Sequence, residues 1–545
     1  MLNNIISSKT LHLLIAIIVA ILTTGFLRLQ LFSGLPEADG GVYTFASQYI
    51  YNHLLAGEAI ANTPLYLYQF LTSWVYGLEV NQYVLLRLID GLVAIAASVI
   101  LFKVILKESG SNLFTVILMA ALLIIMNDIE IILYGFRNSI WAAFLPLFSA
   151  LLIWQNSYKE DKYSFYLIGG LVSLGVLLRE PFLPFFLFSG FAILIAYGWR
   201  LLIKYLIGSA VVGFSILGFM LMFRGWDLID LINSYLLLGG AIESGINVGW
   251  KFPWQIIIKA NWFIIFTATA SILYILKLNF NKKFVNLRRF YFWAILVLIP
   301  LIEYWSKLGL PYHMANCLIG LAGLSALGWS YLQNNETIRA NRLSLIILGV
   351  MSMFIILPTV NNNIIKSSHT FTISDAIRWT KSSDSFRSKN MIERSQYIKV
   401  AAKVYSLSRE NSTMAVSSFW QGIYPLTKLP LPKSSSTGKS NFNLSTMRAL
   451  YINYGYDKNK MVQLLKDYQP TMIVTSIIED GKTWRGEEDM PEIIMATNLY
   501  EIVDFVPQQF TYEDFYITQE IQKLSPGIDP MGWMPATIWR LKDFK

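Results

Sequence analysis

The sequence predicts a polytopic α-helical membrane protein with about eleven transmembrane helices and a C-terminal extracytoplasmic α/β domain. Three observations lead there. Hydrophobic residues make up 54% of the 545-residue chain and charged residues only 14%, against roughly 25% charge in soluble domains. Apolar runs of near-bilayer length recur from Leu11 to Leu357. At Pro358 the composition turns polar and stays so to Lys545. The chain is thus read as a multi-span domain over residues 1–357, with a first outer loop at 28–83, and a soluble domain over 358–545.

Crossing the hydrocarbon core takes about 20 apolar residues. The spans are read at Leu11–Leu27, Val84–Leu106, Leu113–Met126, Ile140–Trp154, Phe165–Leu178, Phe182–Tyr197, Tyr205–Phe223, Trp254–Leu276, Phe290–Ile302, Met314–Leu332 and Leu343–Leu357. The first resembles a signal peptide, but its apolar run is long and no A-x-A site ends it, so it is read as a retained span. The spans between Leu113 and Leu178 are short, about 14 apolar residues or about 21 Å of helix. They either continue through polar residues or stop beside a cavity.

Orientation follows from the loops. With the N-terminus in the cytoplasm, Lys103, Lys107, Lys159, Lys162, Arg200, Lys204, Lys277, Lys282, Lys283, Arg288, Arg289, Arg339 and Arg342 fall inside. A sparser set falls outside: Arg28, Arg137, Arg179, Arg224, Lys251 and Lys307. This is the positive-inside asymmetry, and an odd span count then exports the C-terminal domain. An integral membrane location with a cytoplasmic N-terminus is expected. The net charge of +9 is accounted for by these loops and by anionic headgroups, so it does not call for nucleic acid. A single cysteine, Cys317, leaves no intrachain disulfide and no cysteine-cluster metal site.

Beyond Pro358, helical spacing at Tyr397–Leu407 and Lys460–Tyr468 is interleaved with strand-like runs at Met414–Ser417, Met472–Thr475, Tyr500–Val506 and Thr537–Leu541. That mixture predicts a small α/β fold. Leu431–Asn443, rich in Ser, Lys, Thr and Gly, reads as a mobile loop.

The residues able to do chemistry cluster on the outer side. Glu37 and Asp39 sit two apart in a glycine-bordered turn, and from Gly40 to Tyr83 there is no Lys or Arg. Carboxylates kept beside lipid are costly unless they serve a purpose. One of the pair can take a proton while the other orients a substrate or a cation. Tyr43 follows in Gly41–Ala61, whose apolar spacing suits a helix on the membrane surface, and Pro64 breaks that pattern just before Tyr66. A second acidic pair, Asp128 and Glu130, follows the third span. It is read as a substrate contact, or, with Glu37 and Asp39, as a seat for Mg or Mn. Arg179 interrupts two apolar runs, and its planar fork suits a lipid phosphate. Lys307 and His313 lie six residues apart across a Gly/Pro turn, with Tyr312 between them, and can converge on one phosphate.

These elements resemble the GT-C superfamily of membrane glycosyltransferases, in the branch of bacterial proteins similar to protein O-mannosyltransferases and to the aminoarabinose transferase of lipid A (glycosyltransferase family 39-like). The likeness is carried by Glu37-Ala38-Asp39 with Tyr43, by Pro64-Leu65-Tyr66, by Arg87 at the start of the second span and by Gly309-Leu310-Pro311-Tyr312-His313. The resemblance implies an inverting hexosyl- or pentosyltransferase in a bacterial inner (plasma) membrane. Its donor would be a polyprenyl-phosphate-linked sugar and its acceptor a lipid, glycan or protein on the extracytoplasmic side. It also implies Asp39 as base and Glu37 as its partner; the order here is Glu-x-Asp rather than Asp-Glu, which leaves the choice between them open. Arg179, Lys307 and His313 would hold the donor phosphate, and Tyr43, Tyr66 and Tyr312 would line the sugar pocket beside Asp128 and Glu130. Two rival classes are an O-antigen polymerase or ligase and a flippase or sensor of cell-surface polysaccharide assembly. The central outer loop, about Arg224 to Pro253, has no histidine, unlike the polymerases and ligases.

Overall fold

The computed structural model describes residues 8–25, 47–48, 50–51, 67–78, 82–127, 138–156, 163–179, 182–224, 228–229, 232, 251–280, 287–306, 311–333, 396–416, 420, 423–436, 438, 457–476, 489–506 and 536–542. They are mostly helical, with one small sheet. The first helix, α1 (Ser8–Ala20), runs into a π-helical turn at Ile21–Gly25. The short α2 (Leu67–Thr72) continues as a 3-10 turn to Gly77. Then come α3 (Gln82–Ser109), α4 (Asn112–Met126), α5 (Asn138–Asn156), α6 (Ser164–Leu178), α7 (Leu183–Tyr197) and α8 (Trp199–Arg224). The helical part closes with α9 (Lys251–Phe280), α10 (Leu287–Ser306) and α11 (Pro311–Gln333).

Helices therefore occupy the positions of the first ten expected spans, while Leu343–Leu357 lies outside the described residues. Among the described residues, two stretches are long and apolar enough, by length and composition, to cross a membrane, Leu88–Ser109 in α3 and Trp199–Phe223 in α8. The expectation of short elements between Leu113 and Leu178 is met by α4 and α6, with 15 residues each, but not by α5, which continues through polar residues at both ends to 19. Gly110 makes the tight turn between α3 and α4. It sits at φ +65°, a conformation other residues adopt at a cost, and its N–H bonds the Leu106 carbonyl at 2.9 Å.

Within the bundle α3 packs on α1, α4, α5 and α11, and α11 packs in turn on α9 and α10. Long helices that follow one another in sequence run in alternate directions, whereas the packed pairs α3 and α5, α6 and α8, and α9 and α11 run parallel, so two ends can be told apart. At one end Lys107 Nζ donates to the Gln155 carbonyl at 2.8 Å, Trp154 stacks on Phe292 at 3.9 Å and Phe114 stacks on Trp329 at 4.3 Å. At the other end Thr24 meets Asn127, Phe144 meets Phe182 and Phe70 meets Phe223. Arg179 belongs to this second end, one turn before Phe182.

Small residues let α6 and α8 approach closely. A Cβ on Gly169 would strike the Tyr205 carbonyl, and one on Gly208 would strike the Tyr166 carbonyl. Ser209 Oγ uses that proximity to donate to the Gly169 carbonyl at 2.9 Å. This is how apolar helices associate when there is no water to expel. The opposite side of α8 is apolar and open, with Val211, Phe214 and Met222 exposed by 62, 72 and 77%. A water-soluble helix has the reverse arrangement.

The C-terminal residues build α12 (Gln396–Leu407), β1 (Met414–Val416), α13 (Lys458–Tyr468), β2 (Met472–Ser476), α14 (Met490–Ala496), β3 (Tyr500–Val506) and β4 (Ala536–Leu541). The sheet order is β1-β2-β4-β3, with β1 parallel to β2 and β4 antiparallel to both its neighbours. Period-two alternation divides the strand residues between two cores. Met414, Val416, Met472, Val474 and Ile538 face Val400 and Val404 of α12. Ala415, Ile473 and Trp539 face Met461 and Leu465 of α13 and Ile493 and Ile494 of α14. The result is helix, sheet and helix in three layers, the packing expected when both faces of a sheet are apolar.

Candidate functional site

Of the residues singled out above, Glu37, Asp39, Tyr43, Tyr66, Asp128, Glu130 and Lys307 lie outside the described residues. Tyr312 and His313 belong to the first turn of α11, which starts at the Arg179 end because the far end of α11 carries Trp329. No group of three His, Cys, Asp or Glu side chains able to hold a metal occurs among the described residues. Glu37, Asp39 and Asp128, the proposed Mg or Mn ligands, are not among them.

Arg179 is described in detail. It follows the last residue of α6 in extended backbone at φ −155°. Its N–H is shared between the Gly175 and Val176 carbonyls at 3.1 Å each, and its own carbonyl accepts from the Phe182 N–H at 3.1 Å. Its residue surface is only 8% exposed. The negative end of the α6 dipole favours a guanidinium there. An arginine this deep is held by its surroundings and is costly to move.

At the same end of the bundle, three polar side chains from three helices are knotted together. Thr24, in the π turn closing α1, shares a hydrogen bond with Ser98 of α3 at 2.9 Å. Asn127, directly after α4, donates from Nδ2 to Thr24 Oγ1 at 3.2 Å and to the Leu123 carbonyl at 2.7 Å. All three are buried. Asp90, 1% exposed, lies on the same i, i+4, i+8 ridge of α3 as Ala94 and Ser98. It sits about 12 Å nearer the start of that helix.

The opposite end holds a charged network. Glu108 accepts from Gln155 Nε2 at 2.9 Å and pairs with Arg289 Nη1 at 3.5 Å. Gln155 Nε2 also donates to the Val104 carbonyl at 3.0 Å. The ends of α3 and α5 are thereby joined to the start of α10.

In the α/β unit, Asp467 organises the serine run. It accepts from Ser434 Oγ at 2.6 Å, Ser435 Oγ at 2.7 Å and the Ser436 N–H at 2.9 Å. This corrects the reading of Leu431–Asn443 as a mobile loop, for Ser434–Ser436: serine supplies donors as well as flexibility. The hydroxyl of Ser434, then that of Ser435, hold the Asp467 carboxyl down at about 2. A depressed carboxyl stabilises the fold above its unfolded value of about 3.9 and stops doing so as pH falls through the folded one. Protection of the Ser436 amide is therefore expected to hold from about pH 7 to about pH 5 and to vanish between about pH 4 and pH 2. Amide exchange, with a carboxyl titration by NMR, checks this; release already complete at pH 5 would refute it. Alongside lies a shallow recess of about 460 Å³, lined by Asp457, Asn459, Lys460, Gln463, Leu464 and Asp467.

Sequence reading passed over Asp90, Glu108 and the Thr24–Ser98–Asn127 knot. Two of these left a signal. Asp90 is a carboxylate inside an apolar run. Glu108 lies in the last turn of α3, where the helix dipole disfavours an anion unless a cation compensates.

A scan against protein-family models finds no match for the chain, and a search of curated proteins finds none either.

Proposed function

We propose that the chain is an inverting membrane glycosyltransferase of the GT-C type. It takes a sugar from a polyprenyl phosphate and delivers it to a lipid, glycan or protein acceptor on the extracytoplasmic side. The observation that carries this reading is Arg179: a buried arginine fixed at the end of an apolar bundle, where a lipid phosphate has to be gripped. The exposed apolar side of α8 favours a membrane setting, as do the 30, 20 and 23 residues of α9, α10 and α11, each as long as a bilayer crossing requires. The eleven-span topology, the cytoplasmic N-terminus and the bacterial inner membrane belong to the same proposal.

In this mechanism Arg179, Lys307 and His313 take up the charge that develops on the departing phosphate. The bond between the anomeric carbon and the phosphate oxygen breaks through an oxocarbenium-like transition state, as in glycoside chemistry. The acceptor attacks from the opposite face, forms the new bond to that carbon and gives its proton to Asp39. Glu37 orients the acceptor, and Asp128 and Glu130 contact the sugar.

Membranes containing the protein, incubated with radiolabelled polyprenyl-phosphate sugars, test the reading. Label is expected to leave the lipid phosphate and appear on an acceptor one residue at a time. Growth of long polymer would point to a polymerase. Movement of intact lipid-linked sugar across the bilayer would point to a flippase. Arg179→Ala is expected to weaken apparent donor affinity by about tenfold to a hundredfold, the worth of one or two hydrogen bonds to a charged group. An unchanged donor KM in the purified variant would remove Arg179 from the site.

A further inference from the structure

We propose that Gln69 is a further substrate-binding residue: its side-chain amide donates a hydrogen bond to an oxygen in the sugar-phosphate head group of the lipid-linked substrate. The proposal rests on the glycosyltransferase reading and deepens it. Gln69 stands in α2, and α2 packs on α5 and α6. Its level in the bundle follows from its neighbours. Ser209 of α8 bonds Gly169 of α6 across 40 positions, and these two helices run parallel. That offset carries Phe219 to about the level of Arg179. Phe70 lies edge-on to Phe219 at 5.8 Å and to Phe223 at 4.9 Å. The contact of α2 with α6 therefore falls at the end of α6, where Arg179 follows Leu178. Leu67 and Tyr68 of α2 belong to the same core as Leu178 and Phe182.

Within α2, Gln69 faces the bundle. Leu71, 51% exposed, marks the outer side of the helix, and Gln69 lies about 200° around from it. Gln69 is 2% exposed, and its Nε2 has no hydrogen-bond partner among the described residues. The hydroxyls that follow it are held: Thr72 Oγ1 donates to the Tyr68 carbonyl at 2.9 Å and Ser73 Oγ to the Phe70 carbonyl at 2.8 Å. A buried N–H left without a partner is destabilising, and a methionine or leucine would fill the same place without that cost. A ligand that brings an acceptor supplies the reason for the amide. Its NH2 group offers only protons, so its complement is an oxygen. Phosphate and sugar hydroxyls both present such oxygens, beside the guanidinium that takes the phosphate charge. The amide adds direction without adding charge, and it is satisfied only when the head group is seated.

Gln69→Met keeps the length of the side chain and removes the amide, and Gln69→Leu removes it with a different shape. Both are purified as the full chain and assayed with a radiolabelled polyprenyl-phosphate sugar. Thermal midpoint in detergent is measured in parallel. Each variant is expected to raise the KM for the lipid-linked sugar by about threefold to tenfold, the worth of one hydrogen bond, with kcat within about twofold of the parent. Because no bond within the protein is lost, the thermal midpoint is expected to equal or exceed the parent's. A purely structural Gln69 gives the opposite pattern, a lower midpoint with an unchanged KM. Polyprenyl phosphate without sugar locates the oxygen. If it raises the midpoint of parent and Gln69→Met alike, the amide bonds the sugar; if it stabilises the variant less, the amide bonds the phosphate. Parental KM in both variants overturns the proposal, as does a midpoint well below the parent's. A parent protein that neither transfers sugar nor responds to polyprenyl phosphate overturns the glycosyltransferase reading itself, which is a different result from an active parent matched by its Gln69 variants.

Discussion

Replacing Asp39 by asparagine is expected to cut sugar transfer by about a hundredfold to ten-thousandfold, the range that a general base contributes, while the protein keeps its abundance in the membrane. The change removes one negative charge and keeps size and hydrogen-bonding shape, so a loss of rate without a loss of protein isolates the proton transfer. Glu37→Gln in parallel settles which of the two carboxylates is the base: the variant with the larger fall in kcat carries the proton. A pH profile sharpens the comparison, because the acidic limb of kcat/KM should disappear with the true base. Purified Asp39→Asn and Glu37→Gln proteins that both transfer at the parental rate would end the assignment of this turn to catalysis.

The second large effect concerns stability and lies at the far end of the bundle. Glu108 is fully buried, whereas Arg289 is one-quarter exposed. Removing Arg289 leaves the fully buried Glu108 carboxylate without its ion-pair partner, and breaking a buried pair in this way costs about 3–5 kcal/mol. Partial exposure of Arg289 places the expected loss near the lower value, about 3 kcal/mol. Arg289→Ala should therefore unfold at markedly lower denaturant or temperature. Adding Glu108→Gln should recover most of the loss, because the amide keeps the shape needed to face Gln155 and carries no charge. A double-mutant cycle in detergent or bicelles measures the coupling directly. Arg289→Ala with parental stability would show that the pair contributes nothing. This end is remote from Arg179, so transfer by the folded fraction of these variants should stay at the parental level.

Much of the fold was legible because its signals are local. Strand expectations at Met414, Met472, Tyr500 and Thr537 match β1 to β4 to within a residue at each boundary. Alternation of apolar side chains reports a strand, and breaks in apolar runs report helix ends, without reference to anything distant. The helix expected from Lys460 begins two residues earlier, at Lys458, where Asp457 caps it and its side chain accepts from the Lys460 N–H. The serine run misled for the same reason. Its composition is a local property, but the carboxylate that holds it comes from Asp467, more than thirty residues away.

The candidate site divides in the same way. Arg179 stood out because a charge inside an apolar run can be seen in one dimension. Ser98, Thr24 and Asn127 did not, since a lone hydroxyl or amide in such a run is ordinary until its partners are known.

The sequence by itself determined where the described helices and strands of this protein lie, and that its chain is too apolar and too poor in charge for an ordinary soluble domain. Tertiary structure alone decided which buried polar groups meet: Thr24 with Ser98 and Asn127, Glu108 with Gln155 and Arg289, β4 between β2 and β3. The reason is physical. Periodicity fixes which face of an element is buried, but the neighbour on that face is chosen by how whole surfaces fit, and in this bundle by where glycines such as Gly169 and Gly208 allow two backbones to touch.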